Sequence, residues 1–257
     1  MYRMPVSFMQ SEYDASDVLY NRDSVEMLFT YTTDGDMLSD YLPEGFELLS
    51  PELSITFAMY REISWLAGGS YNLISASVPA RFKGKRDRLE GSYNLVTWEN
   101  KTTPIIGGRE DCGVPKIYAD IEDLHINQPN YFTNASLEGN SFLHLYMDDA
   151  KPVVGEQLEE IKAVGASVNL FGWRYIHKVG GPGADLSQPI LYPQGHEINS
   201  AWIGSGRVQW TELSQEQNPT QWNIIKALSE LPIIEMKPVI MVKCVSILKP
   251  YSGRVLE

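Results

Sequence analysis

The sequence predicts one β-rich domain with two or three short helices, an α+β chain built mainly from strands. Three observations predict it. Short runs rich in aromatic and β-branched residues recur along the chain, several with a period of two. Gly and Pro punctuate the intervals, as the many short strands of a sandwich or barrel require. No repeat and no linker-like stretch divides the chain, so residues 1–257 read as a single domain, long enough to bury a core without disulfide staples.

Taken in order, residues 1–24 are polar and read as irregular. Residues 25–32 (VEMLFTYT) form the first expected strand. Residues 34–42 read as a short helix stopped by Pro43. Its cap is Thr33 or Asp34, whose side-chain oxygen can accept from the free N–H groups of the first turn. Strands follow at 53–60 (LSITFAMY), 71–82 and 92–99 (SYNLVTWE), the last with the alternation of a half-buried strand. Residues 107–116 (GGREDCGVPK) read as a Gly-rich, charged turn. Strand-like patterns resume at 117–125, 141–147, 166–179 and 197–209, with Gly180-Gly181-Pro182-Gly183 as a loop. Residues 221–230 read as a helix ended by Pro232, and residues 238–248 (PVIMVKCVSIL) as a last, largely buried strand.

Composition excludes several function classes. Lys and Arg total 21 against 33 Asp and Glu, a net charge of −12, which disfavours nucleic acid and anionic membrane as partners. No apolar run approaches the ~20 residues that span a bilayer, and the N-terminal residues lack a secretory pattern. Cys112 and Cys244 have no ligand spacing and read as buried thiols; so few cysteines fit a cytoplasmic location. His125, His144, His177 and His196 lack zinc spacing and read as structural or surface residues, so neither metal nor cofactor is expected. Phosphate-loop and nucleophile-elbow signatures are absent, and Gly204-Ser205-Gly206 reads as a turn.

The chemistry points to GREDCGVPK. One lysine, Lys116, follows a Gly-rich stretch and a proline and precedes an apolar run. Held in an apolar interior, its ammonium form is disfavoured, and a neutral amine attacks carbonyls to form Schiff bases. The competing reading is a solvated lysine at a strand start.

Gly108-Arg109-Glu110 followed by Pro115-Lys116 resembles the active-site motif of the acetoacetate decarboxylase superfamily. The resemblance continues through Asn21-Arg22-Asp23, Ala58-Met59, residues 91–110, Ala201-Trp202-Ile203-Gly204 and residues 227–250. It implies a closed antiparallel β-barrel of double-cone type, a homo-oligomer, and Lys116 as the Schiff-base nucleophile. The departures bear on the reaction. Ile117 stands where those decarboxylases carry a second lysine, and Ile55 and Leu73 where they carry glutamates; Glu62 is a nearby acidic candidate. The expected activity is therefore that of a lyase on a small 2-oxo or 3-oxo acid. Aldol condensation with dehydration, an aldehyde being the co-substrate, is favoured over decarboxylation of a β-keto acid such as acetoacetate. A non-catalytic barrel that binds a carboxylate or carbonyl compound is the third alternative. Tyr71 and Tyr251 are the expected proton shuttles, since a phenol both donates and accepts. Arg22 or Arg109 is expected to grip the substrate carboxylate. Glu110 is a candidate for proton transfer or for pairing with Arg109. Val114 and Ile117 are expected to supply the apolar surroundings of Lys116.

Overall fold

The alternation of apolar and polar residues sorts the two faces of each strand, and the elements follow that pattern. The computed structural model describes residues 4–8 and 18–257. Its first half comprises β1 (Leu19–Thr32), α1 (Gly35–Ser39), β2 (Phe46–Leu48), β3 (Glu52–Ile63), β4 (Gly69–Lys83), β5 (Arg88–Glu99), α2 (Thr102–Cys112) and β6 (Lys116–Tyr118). Then come β7 (Asp120–Ile121), β8 (His125–Asn127), β9 (Asn130–Leu137), β10 (Asn140–Val153), α3 (Glu156–Gly165), β11 (Val168–His177) and β12 (Ala184–Trp210). The chain ends with α4 (Trp222–Ser229), β13 (Glu235–Met236), β14 (Val239–Leu248) and β15 (Arg254–Val255). The protein is thus mostly β with a few helices.

The strands form one 15-stranded sheet whose central path runs β11-β5-β4-β3-β1-β14-β12-β10-β9-β7. β11 pairs in parallel with β5 and antiparallel with β12, so the pairing path returns to β11. One face of β1, β3, β4 and β5 buries Met27, Phe29, Ile55, Phe57, Ile74 and Trp98 in the main core. The opposite face of the same strands lines a cavity. Ile225 and Leu228 dock α4 on the core side. Trp98 ties that helix to the site: its indole Nε1 donates to Gln221 Oε1 at 2.9 Å, and Gln221 Nε2 donates to the Tyr118 carbonyl of β6 at 2.7 Å. Among the described residues, no helix is long and apolar enough to cross a membrane.

Asp34 caps α1, accepting from the N–H groups of Asp36 and Met37 at 3.0 Å. Four readings are corrected. β1 begins at Leu19, within the stretch read as irregular. The Gly-rich "turn" is the last part of a helix, α2, in which Pro104 lies in the first turn, where an N–H has no intrahelical partner to lose. Gly113 closes that helix at φ 68°, a left-handed conformation suited to glycine. Residues 156–165, not read as an element, form α3, and Gly204-Ser205-Gly206 lies inside β12.

Trp98 is fully buried, so replacing it removes both volume and a hydrogen bond. Trp98→Phe leaves Gln221 Oε1 without its donor and should cost about 2 kcal/mol of stability in urea unfolding. A change below about 0.5 kcal/mol would mean that the link from β5 to α4 does not hold the site together.

Candidate active site

Residues in register on neighbouring strands point to the same side of a sheet, and a step of two residues along a strand moves about 7 Å. Read this way, the cavity wall is a stack of rows. The row bearing Lys116 runs Thr56, Ser75, Thr97, Lys116 across β3, β4, β5 and β6. The next row runs Glu26, Ala58, Leu73, Glu99, and beyond it Tyr60 pairs with Tyr71. On the other side of Lys116 the row is Thr30, Ser54, Ser77, Asn94. A bulge at Leu95 turns both Asn94 and Thr97 inward, although they are three residues apart. The cavity has a volume of about 640 Å³.

Lys116 enters the cavity from the start of β6. Its N–H donates to the Val114 carbonyl at 2.8 Å, and the Pro115 carbonyl accepts from Thr97 N–H at 3.0 Å, which fixes the strand against β5. Arg109 Nη1 donates to the Lys116 carbonyl at 2.9 Å and ties α2 to the same peptide. The lysine side chain passes across Gly108. A Cβ there would stand 2.6 Å from Lys116 Cε and 2.9 Å from Nζ, so this helical position requires glycine for space. The side chain is 16% exposed, and its Nζ lies 2.8 Å from Oε1 of Glu99, which is fully buried.

Glu99 is the partner that sequence reasoning missed. Apart from Lys116, neither of its oxygens has a hydrogen-bond donor among the described residues. Burial pushes its carboxyl above the ordinary carboxylate range, and the neighbouring ammonium only partly offsets this. Tyr71 is 4% exposed and lines the cavity. Burial, and then the Glu99 charge, push its phenol well above the ordinary value, so at neutral pH it is a donor. Burial raises Tyr192, another lining residue, in the same way.

A second polar group faces the cavity from β1 and β12. His196 Nε2 lies 3.2 Å from Glu26 Oε1, Tyr60 donates to the same oxygen at 3.2 Å, and His196 Nδ1 donates to the Gly165 carbonyl at 3.3 Å. For Glu26, burial works upward, but the imidazolium and the donors Tyr60 and Cys244 prevail and hold its carboxyl below the ordinary value. For His196, burial works downward, but the Glu26 carboxylate and the Gly165 carbonyl hold the imidazole above its ordinary value.

Of the catalytic and substrate-binding residues picked from the sequence, the structure brings Lys116 and Tyr71 together in the cavity and leaves the others outside it. Arg22 is exposed on β1 with its guanidinium over the Tyr20 ring at 5.2 Å. Glu62 is exposed at an irregularity of β3, at φ 48°. Arg109 and Glu110 are exposed on α2, so Arg109 braces the lysine's backbone rather than facing the cavity. Tyr251 is half-buried in a short turn at Pro250–Ser252. Ile55 points into the main core, on the face of β3 opposite the cavity, and Ile117 packs on that core as well. The apolar neighbours expected around Lys116 thus reduce to Val114, with a carboxylate beside the amine instead. Among the described residues, no three His, Cys, Asp or Glu side chains gather as a metal site.

The Glu26–His196 pair has a defined pH signature. The raised His196 stabilises the fold fully below its unfolded value of about 6.5, and this is lost as pH rises through the folded value. The lowered Glu26 stabilises above about 4.5, and this is lost as pH falls through its folded value. The stability penalty of Glu26→Gln should therefore be largest between those values and shrink on the alkaline side. Nuclear magnetic resonance titration should also find the His196 midpoint lowered in that variant. A penalty independent of pH would sink the ion-pair account.

The acetoacetate decarboxylase family model matches residues 3–245. The chain is 24% identical over 215 residues to acetoacetate decarboxylase of Burkholderia mallei, covering 82% of this chain and 77% of that protein. The crystal structure of acetoacetate decarboxylase from Legionella pneumophila superposes with a TM-score of 0.76 at 23% identity, covering 99% of this chain and 92% of that one. The enduracididine biosynthesis enzyme MppR, complexed with the condensation product of pyruvate and imidazole 4-carboxaldehyde, superposes with a TM-score of 0.71 at 14% identity, covering 99% and 95%. With its model matched from residue 3 to residue 245, the chain belongs to the acetoacetate decarboxylase family.

Proposed function

We propose that this protein is a Schiff-base-forming lyase acting on a small oxo acid, with Lys116 as the nucleophile. We further propose that it condenses a pyruvate-type 2-oxo acid with an aldehyde and eliminates water. The carrying observation is the amine of Lys116 at the cavity wall, 2.8 Å from a fully buried carboxylate whose proton affinity is raised. We read the ring of strands around it as the double-cone barrel of the family.

The steps follow from the groups at hand. Glu99 takes a proton from the ammonium, and the neutral amine adds to the substrate carbonyl. The same proton, returned to the carbinolamine oxygen, lets water leave and gives the protonated imine. Glu99 takes an α-proton to give the enamine, which adds to the aldehyde carbon, and that proton is returned to the new alkoxide. Removal of the second α-proton and its delivery to the hydroxyl expels water, and hydrolysis of the conjugated imine frees the product and Lys116. Tyr71 and Tyr192, held as neutral phenols by burial, donate to the substrate carboxylate or to the developing alkoxide. No arginine among the described residues lines the cavity, and the His196 imidazolium is already paired with Glu26, so this carboxylate is met by neutral donors.

Two observations support condensation over decarboxylation of acetoacetate. The cavity, at about 640 Å³, lies well inside the roughly 300–1,000 Å³ of sites for drug-sized ligands and exceeds the needs of one four-carbon acid. Leu73, where the decarboxylase pattern has a glutamate, lines the cavity as an apolar side chain. The MppR complex, which holds a product of pyruvate and an aldehyde, gives this reading a precedent on the same fold.

Incubation with pyruvate followed by borohydride should add mass at Lys116, and Lys116→Ala should abolish it. Glu99→Gln should slow trapping by about 100-fold or more while the protein stays folded. Carbon dioxide release from acetoacetate should be slow. Rapid release that depends on Lys116 would replace condensation by decarboxylation, and a failure to trap any oxo acid would leave a non-catalytic binding barrel.

A further inference from the structure

Barrel interiors are ordinarily filled with packed side chains. On one side of Lys116 this one is instead lined by small polar residues in register. Thr56, Ser75 and Thr97 share the lysine's own row. Ser54, Ser77 and Asn94 form the next. All six line the cavity, and Ser92 lies one step beyond.

Their hydrogen-bonding capacity is largely unspent. Thr56, Ser75, Ser77 and Ser92 make no side-chain hydrogen bond to any described residue. Ser54 pairs with Thr30 at 3.0 Å, and Asn94 Nδ2 donates to Thr97 Oγ1 at 2.7 Å. That leaves Asn94 Oδ1 buried without a partner on a residue only 8% exposed. Opposite these rows, β11, β12 and β14 contribute the apolar Leu170, Ile198 and Ile240, and the polar side chains of β12 (Tyr192, Gln194 and His196) line the cavity as well. The hydroxyl-lined side continues past Lys116 to Ser54 and Ser92, which also border a second cavity of about 330 Å³. A ligand chain attached at Lys116 therefore has room to extend along it.

The geometry points to a substrate whose chain, beyond the carbonyl carbon captured by Lys116, carries several neutral hydroxyl groups along one edge. We propose that Thr56, Ser75, Ser77 and Asn94 read those groups, making the substrate a polyhydroxylated oxo acid rather than an aliphatic one or a second carboxylate. This rests on the Schiff-base reading for its anchor, Lys116. A hydroxyl both donates and accepts, so hydroxyl partners match a wall of serines and threonines. An aliphatic chain would strip water from these groups and leave them unpaired, which is how a polar site rejects the analogue lacking the hydroxyl. A second carboxylate would need an unpaired cation; on this side of the cavity the described residues offer none besides Lys116, and Lys237, which borders the second cavity, is paired with Glu52.

The test compares a trihydroxylated 2-oxohexanoate with unsubstituted 2-oxohexanoate in borohydride trapping. The concentration for half-maximal labelling of Lys116 should be at least about tenfold lower for the hydroxylated acid. In a Thr56→Val, Ser77→Ala double variant the ratio should fall toward one; Ser75→Ala alone, a smaller change, should lower it in the same direction. Equal labelling of the two acids by the wild type, or a ratio that these variants leave intact, would overturn the proposal while leaving the lyase reading standing. If neither acid labels Lys116, the lyase reading fails, and calorimetry decides the wall separately. Gluconate bound more tightly than hexanoate, with the difference lost in the double variant, sustains it; equal binding rejects it.

Discussion

The ion pair between Lys116 and Glu99 is the constraint around which this part of the molecule is arranged. Two charges 2.8 Å apart and largely withdrawn from solvent attract strongly, but removing both from water costs nearly as much. Such a pair is weak as a source of stability and demanding in geometry. The surroundings meet the demand: β6 is held parallel to β5 so that Thr97 pairs with Lys116 and Glu99 with Tyr118. Gly108 yields the space through which the lysine passes, and Arg109 and Gln221 clamp the backbone of β6 from two sides. In the proposed reaction this arrangement has a specific use. A protonated imine keeps its positive charge where the ammonium had it, so Glu99 stays paired through that step. When the charge is lost to the enamine, the buried carboxylate faces a neutral nitrogen, and its raised proton affinity favours taking up the proton then.

Two carboxylates of the site, Glu26 on the cavity wall and Glu99 buried behind Lys116, are pushed in opposite directions, and the contrast comes from their partners. Glu99 is fully buried with one cation and no other donor, so burial decides, and its carboxyl moves up. Glu26 meets an imidazolium, a phenol and a thiol, which together outweigh burial, so it remains an anion. Groups separated in this way divide the labour of proton transfer and fixed charge. Tyr71 lies between them, within the field of both, and each negative charge adds to the burial that keeps its proton in place.

How much of this was legible in the sequence depended on whether the signal was local. Most strands were, because their alternation is a property of a few neighbouring residues, and so was a cap at Thr33 or Asp34, of which the helix uses Asp34. Lys116 stood out through its Gly and Pro context. α2 was hidden because its two glycines and scattered charges give no apolar stripe, and its packing against the lysine supplies what propensity lacks. Glu99 was hidden in plain view at the end of an alternating strand: its partner lies 17 positions away on a strand of three residues, a pairing that no spacing rule reports. The same limit misdirected the choice of cations. Arg22 and Arg109 sit near the right motifs, but the irregularity of β1 between Asn21 and Ser24 and the facing of α2 leave both exposed. His196, read as structural, gains its partner from β1, far along the chain.

Parity also explains why the losses at Ile55 and Leu73 are not equivalent. Ile55 occupies the core face of β3, so the cavity is lined there by its neighbours Ser54 and Thr56. Leu73 does face inward, and its cross-strand partner is Glu99. A carboxylate therefore stands one strand away from a position where the family pattern led one to expect it, about 5 Å along the row. Displaced in this way, it reaches the lysine from behind rather than from across the cavity. The cavity face of β3, β4 and β5 is left to groups that carry no charge. A site whose acid sits behind its nucleophile can act on the nitrogen and the carbonyl oxygen. What binds further along the chain is then selected by neutral hydrogen bonding and by shape.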